Sequence, residues 1–306
     1  MNRFIYFIFI LFLISSCGGV STKKTSSISK SEPIVTFVFD DGNETDYTVA
    51  KNIFSAQREV ACSAVTTNWI NNKDYLTGPQ IIELQNAGWE ILSHTESHPN
   101  LRGLSESQIE AELSKSKTAL EGLGLTVKNL VYPYNKTNAA VKKIAERYYR
   151  SAREGGSMSN PHILDRSELK SYSIKHNLDK MERYIDNAHS EGAWVIFYHH
   201  QIDAKIKTSD KSGAFIPEER LSFMLSGATG KYIKDNGSVI QLIPLSGSPR
   251  IGDIVTGQSS GATCKLDRII YNEKEDINDM IEYIHTKYPD MKIVTIDKGL
   301  DLMGIP

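Results

Sequence analysis

Six short apolar runs limit how this chain can fold. They lie at 34–39, 60–66, 89–92, 128–132, 194–199 and 292–296, and they are rich in β-branched or aromatic residues, the composition expected of strands. Amphipathic stretches at 46–57, 78–87, 105–122, 137–147 and 178–191 separate them. The third stretch is the clearest helix: Ile109, Leu113, Ser116 and Leu120 recur at helical spacing, and Gly122 supplies a stop. Strands that alternate with helices imply a parallel sheet. In such α/β proteins the chemistry sits at the C-terminal ends of the strands.

Those ends carry unusual residues here. The run Ile34 to Phe39 stops in Asp40-Asp41-Gly42, and the run ending at Leu92 is followed by Ser93-His94-Thr95-Glu96-Ser97-His98. Two histidines four apart reach one cation from a single helical turn. One Asp from a neighbouring strand end completes a three-ligand site with positions left for water and substrate, the pattern of a catalytic metal. The second Asp is then placed to act as a general base. Asp-Asp-Gly alone is a common turn, and a histidine pair alone is often incidental; the combination at two strand ends points to a site.

The two segments resemble the first and second motifs of the NodB-like polysaccharide deacetylases, carbohydrate esterase family four. Tyr132-Pro133-Tyr134-Asn135 is similar to that family's third motif, and Phe197-Tyr198-His199-His200 to its late Leu-x-His motif. The resemblance covers roughly Pro33 to Ile202 and a closing strand near 292–296. It implies a distorted (β/α) barrel with seven or fewer full units. It also implies Asp41, His94 and His98 as ligands of a divalent metal, zinc first; a His₂Asp set also accommodates cobalt, nickel or iron. Asp40 would be the base, the backbone N–H of Tyr134 an oxyanion donor, and His199 or His200 the acid. Neighbouring side chains of a strand face opposite ways, and the family spacing favours His200.

One departure stands out. The family's third motif often begins with an arginine that orients the base, and Val131 or Tyr132 stands there instead. Arg153, Asp165 and Arg166 are candidate replacements, with surface charge the alternative for each. Trp69, Trp89 and Trp194 read as core rather than as sugar platforms, with lining of a groove the alternative for Trp69, just past a strand end. His162, His176, His189 and His285 lack ligand spacing and read as solvent-facing, as does Glu96. Cys62 and Cys264 are two lone cysteines without a disulfide framework.

At the N-terminus, Arg3 precedes an apolar run from Phe4 to Ile14, too short to span a bilayer and placed as a secretory signal. Ser15-Ser16-Cys17-Gly18 resembles a bacterial lipoprotein processing site with Cys17 lipidated, which would anchor the protein at the membrane of the cell envelope. Residues 20–32 are Ser/Thr-rich, as a flexible tether would be. Segment 203–213 reads as a polar loop, and 236–272 turns β-rich with Gly/Ser turns.

The expected organisation is a signal at 1–17, a tether at 18–32, a (β/α) barrel at 33–211 and 275–306, and a small β-rich module at 212–274 inserted before the last βα unit. A net charge of −2 over 306 residues gives no basic footprint for nucleic acid. The expected activity is metal-dependent removal of N-acetyl groups from an amino-sugar polysaccharide. The alternatives are a catalytically impaired carbohydrate-binding surface protein and an O-acetyl esterase acting on xylan-like glycans.

Overall fold

The computed structural model describes residues 32–161, 164–174 and 176–306; the expected signal, the lipidated Cys17, the tether up to residue 31 and His162 lie outside them. Seven parallel strands form a closed barrel: β1 (Ile34–Phe39), β2 (Cys62–Val65), β3 (Glu90–Ser93), β4 (Asn129–Val131), β5 (Ser151–Gly156), β6 (Leu169–Ser173) and β7 (Trp194–His199). Closure runs along the whole of β1, which pairs with β7 from Ile34↔Trp194 to Phe39↔His199.

Alternation along the strands divides two cores. Ile34, Val38, Leu92, Val131, Trp194 and Ile196 fill the barrel interior. Val35, Phe37, Phe39, Ile91, Val195 and Phe197 face outward, as the period of two requires. Against that outer face pack α1 (Lys51–Ala56), α2 (Gly78–Asn86), α3 (Glu106–Gly122), α4 (Ala139–Ala145) and α5 (Leu178–Glu191). In α3 the cap Ser105 accepts from the Gln108 N–H, and the Gln108 side chain accepts from the Ser105 N–H, the reciprocal arrangement that satisfies two orphan donors.

β5 and β6 fall outside the runs expected from sequence. Ser151-Ala152-Arg153-Glu154-Gly155-Gly156 has no apolar pattern because its inward position holds Arg153, a buried charge, where other strands place an aliphatic side chain.

After β7 the chain enters a second closed barrel. It consists of β8 (Ala204–Ser212), β9 (Arg220–Phe223), β10 (Thr229–Asp235), β11 (Val239–Leu242), β12 (Ile254–Gly257) and β13 (Thr263–Asn272), antiparallel in the order β10-β11-β8-β13-β12-β9 around its own core of Ile206, Leu221, Phe223, Ile240, Val255 and Leu266. The inserted module is therefore a six-stranded barrel, and it begins at 204 rather than 212. The expected loop at 203–213 is mostly β8: Ala204, Ile206 and Thr208 are buried while Lys205, Lys207 and Lys211 point outward, so its composition reads as polar. Its two ends meet, with Ala204 paired to Asn272. The chain then returns through α6 (Glu273–Lys287), whose Ile277, Met280 and Ile284 join the outer core. β14 (Lys292–Ile293) pairs with the first two residues of β1, and α7 (Ile296–Leu302) sends Ile296 and Leu300 into the interior core beside Trp194.

The small barrel is a repeat. Ser226-Gly227-Ala228-Thr229 recurs 34 positions on as Ser260-Gly261-Ala262-Thr263, and Ser212-Gly213 recurs as Ser246-Gly247. β9 and β12 cross antiparallel through the pair Ser222↔Thr256, which are themselves repeat equivalents, so a pseudo-two-fold axis passes there. Each half latches the other. Glu219 accepts from Ser259 N, Ser260 N, Ser260 Oγ and Ile216 N. Asp253 accepts from the equivalent set, Leu225 N, Ser226 N, Ser226 Oγ and Arg250 N. Both carboxylates are buried. Burial pushes each carboxyl up, but the serine and backbone hydrogen bonds outweigh it and leave both below the usual carboxylate range.

Asp253→Ala should therefore leave several donors without partners, at about 1–3 kcal/mol for each group that stays buried. The expected result is a loss of about 2–4 kcal/mol in the denaturant midpoint analysis, against less than about 0.5 kcal/mol for the exposed Lys207→Ala.

Candidate metal centre

The interior alternation of β1 continues past its end and sends Asp40 inward, where it is 3% exposed. Asp41 follows with φ of 80° and Gly42 with 72°. This left-handed turn swings the Asp41 carboxylate toward the loop after β3. A Cβ on Gly42 would lie 3.3 Å from Val65, so the turn needs glycine for both its conformation and its space.

His94 is the first residue beyond β3, and its N–H donates to Val65 O at 2.9 Å. The two histidines are not brought together by a helical turn. Residues 94–98 form an irregular loop with φ of 70° at Thr95 and 60° at His98. The His98 N–H donates to Thr95 Oγ1 at 3.0 Å, and the Glu112 carboxylate accepts from the Ser97 N–H and hydroxyl. This tight loop places the rings 4.8 Å apart. Left-handed backbone at a β-branched residue is strained and persists where neighbours over-determine it; here three side-chain hydrogen bonds do so.

Ligand atoms of Asp41, His94 and His98 all lie within 4.8 Å of one another. Asp41 Oδ1 is 3.5 Å from His94 Nε2 and 3.4 Å from His98 Nε2, too far for strong hydrogen bonds, and this buried oxygen has no hydrogen-bond partner. His94 Nδ1 lies 2.8 Å from Val131 O. A carbonyl only accepts, so Nδ1 carries the proton and the Nε2 lone pair faces the cluster, as a ligating histidine requires. Burial, with help from His94, lowers the His98 pKa to about 4 and leaves its imidazole neutral near pH 7. Burial raises the Asp41 carboxyl, but the close approach of His94, with His200 and His98 adding, brings it below the usual range. An unsatisfied buried oxygen, a neutral imidazole and a tautomer-locked imidazole fit a divalent cation.

Beside the cluster, Asp40 Oδ2 accepts from Arg153 Nη2 at 2.6 Å, and both side chains are sealed from solvent. Arg153 is held in turn by Asn135 Oδ1 at 2.8 Å, Ser171 Oγ at 3.2 Å and the Tyr198 ring at 4.6 Å. Of the three candidate replacements, Arg153 reaches Asp40, from β5 rather than from the third motif. Asp165 instead accepts from Ser167, and Arg166 donates to Arg150 O, both away from the cluster.

The adjacent histidines part as the strand period requires. His199 is buried on the outer side, with Nε2 3.0 Å from Glu273 Oε2. His200 faces the cluster closely enough for its charge to act on Asp41 and His98. Tyr134, in a 3₁₀ turn with φ of 59°, sets its ring 4.6 Å from His98. Trp69 lies 5.1 Å from His98 and 5.0 Å from Tyr75, so it borders the site, half-buried, rather than joining the core, while Trp89 and Trp194 are core.

Several residues expected to face solvent have partners: His189 with Asp290, His285 with Glu59, His176 with Glu273, and Glu96 with Lys115. Cys62 and Cys264 are buried free thiols. Asp46, fully buried under the site and hydrogen-bonded by Ser63 Oγ at 2.6 Å, was missed by the sequence reading. Burial, with Asp41 and Asp40 adding, raises its pKa well above the usual range. No helix of the described residues is long and apolar enough to cross a membrane.

Residues 27–151 match the model of the family described as polysaccharide deacetylase. Over 124 residues the chain is 29% identical to the Bacillus subtilis (strain 168) protein YxkH, which carries a polysaccharide-deacetylase name; the match covers 40% of this chain and 44% of that protein, less than half its length. Among solved structures, the T48 deacetylase with substrate has a TM-score of 0.50 at 14% identity over 88% of this chain and 92% of its own, a likeness of fold. The Streptococcus pyogenes deacetylase PplD in complex with acetate has a TM-score of 0.47 at 23% identity, over 49% of this chain and 69% of its own. Residues 27–151 are thus similar to polysaccharide deacetylases in sequence, and the likeness to the T48 deacetylase is one of fold.

The His98 shift gives the metal-free protein a pH signature. Below about pH 6.5 the unfolded chain binds a proton that the folded chain refuses until about pH 4, so stability falls as pH drops through that window. Glu90, which burial raises to about 7, acts with the opposite sign in this window, so the His98 part is the difference in unfolding free energy between the protein and His98→Ala, measured in chelator across pH 4–7. That difference should shrink as pH falls; one that does not change with pH would place the proton elsewhere.

Proposed function

We propose that this chain is a metal-dependent hydrolase that removes N-acetyl groups from an amino-sugar polysaccharide of chitin-, peptidoglycan- or poly-N-acetylglucosamine-like chemistry. The observation that carries this reading is the open Asp41/His94/His98 cluster beside an Asp40 locked by Arg153. Held by those three side chains, a divalent metal, zinc first, would supply Lewis acidity and a lowered pKa for water at neutral pH.

The protein's own groups do the rest. Asp40 takes the proton of the attacking water, and Arg153 keeps its carboxylate aimed. Asp40 Oδ1 is buried and without a partner, leaving it open to accept that proton. The Tyr134 N–H steadies the oxyanion of the tetrahedral adduct. His200 donates a proton to the nitrogen as the C–N bond breaks, releasing acetate and a free amine. Arg153, reaching Asp40 from β5, supports the catalytic reading over the impaired one, which rests on the arginine missing from the third motif. Envelope anchoring through Cys17 remains part of the proposal; Cys17→Ser would abolish fatty-acid labelling.

Acetate release from N-acetylglucosamine oligomers and peptidoglycan fragments, with and without chelator, is the direct test. Release that chelator leaves untouched would sink the metal reading, and acetate from acetylated xylan alone would make the protein an O-acetyl esterase. Asp41→Ala, His94→Ala and His98→Ala should each lose metal and activity together. Asp40→Asn should keep the metal while turnover falls about 10²–10⁴-fold.

His200→Ala should remove the alkaline limb of the kcat profile, because the imidazolium donor is gone. His199→Ala should lower stability and leave that limb in place. Loss of the limb in the His199 variant alone would reverse the assignment.

A further inference from the structure

The inserted barrel does not stand apart from the site. Lys231 on β10 pairs with Asp74 at 3.2 Å and with Glu218 at 3.1 Å, which clamps the barrel against the loop before α2. Lys265, the repeat equivalent of Lys231 in the other half, is exposed, so the repeat itself does not require this contact. Between the two barrels runs a groove of about 220 Å³ lined by Glu44, Asp74, Gln201, Lys231, Ile243 and Pro244 among others.

Its position follows from the chain. Glu44 stands three residues past Asp41, its N–H donating to Asp74 O at 2.9 Å, and Gln201 directly follows His200. Thr45 Oγ1 accepts from the Ile202 N–H at 3.1 Å, tying the two segments side by side. The groove thus lies between the insertion and the segments that closely follow Asp41 and His200. The Glu44 carboxylate and the Gln201 amide have no hydrogen-bond or ion-pair partner among the described residues.

We infer that this groove is a substrate subsite built jointly by the two barrels, holding the sugar unit next to the one being deacetylated; this rests on the function proposed above. A pyranose presents hydroxyls at its edge and C–H groups on its faces. Glu44 and Gln201 offer acceptors and donors for the edge, and Ile243 with Pro244 offers an apolar ledge for a face. The groove's volume suits one ring and falls short of a drug-sized pocket of about 300–1,000 Å³. Two carboxylates against one ammonium, itself shared with Glu218, make a neutral or amine-bearing unit the fitting occupant and exclude a uronate. Glu44 and Gln201 are specificity-determining here and take no part in the reaction.

The test is calorimetric titration of the N-acetylglucosamine tetramer into the full-length, metal-loaded Asp40→Asn protein, alone and combined with Glu44→Ala or Lys231→Ala. Each addition should weaken tetramer binding about tenfold, equal to about 1.4 kcal/mol, with monosaccharide binding unchanged. In the active protein the same substitutions should raise KM for the tetramer and leave hydrolysis of 4-nitrophenyl acetate as it was. Equal tetramer affinity in both variants overturns the subsite. Absence of acetate release by the unsubstituted protein would refute the activity instead, while the titration would still report on the groove. Melting curves identify a variant whose barrels have come apart, in which case Glu44→Gln, which keeps the shape and removes the charge, decides by the same titration.

Discussion

The Asp40 carboxylate and the Arg153 guanidinium meet at 2.6 Å in a place water does not reach, and most of the upper barrel is arranged around that contact. An isolated charge there would be strongly unfavourable, so neither side chain is tolerable without the other; removing one partner of such a pair costs about 3–5 kcal/mol. Asn135 in the turn after β4, Ser171 in β6 and Tyr198 in β7 hold the guanidinium. The pair therefore fixes the relative positions of β1 and β5 as well as the Asp40 carboxylate. It also sets a fixed wall against which the strained turns at Asp41, Thr95, His98 and Tyr134 can be held.

Adjacent to this wall, one peptide unit serves two purposes. His200 turns to the ligand cluster and His199 to Glu273. Glu273 is the first residue of α6, and its carboxylate also accepts the Asp203 N–H at 2.7 Å. The anchor of β7 is thus the residue that directly follows the inserted barrel. Attaching a second barrel at this point lets it shape the cleft without adding a residue to the ligand set.

Where a residue's role follows from local pattern, the sequence displays it. Asp40, Asp41, His94 and His98 close apolar runs, and the period of two along β7 separates His199 from His200 before any coordinates are known. Arg153 was nameable only as one of three candidates, because its partner lies more than a hundred residues away and β5 carries no hydrophobic alternation. β8 was hidden for a related reason: its lysines lie on the solvent face and outweigh three buried residues in the composition. The loop holding the histidines was read as helical since a four-residue offset suits a helix, whereas the conformation is set by Thr95 and Glu112. The repeat in the small barrel was legible in its duplicated Ser-Gly-Ala-Thr but called for comparing the chain with itself.

The pairing of Ala204 with Asn272 has a consequence for how the parent barrel experiences its guest. Because the two junctions are hydrogen-bonded neighbours, everything between them is, for the host, equivalent to a tight hairpin turn. Loop closure depends on the distance between ends, and a folded guest fixes that distance near its minimum. Order in the guest is thereby converted into order at the rim of the cleft. Conversely, melting of the small barrel would replace a short strap by a long slack one, loosening Asp203, Glu273 and, through His199, the strand that carries His200.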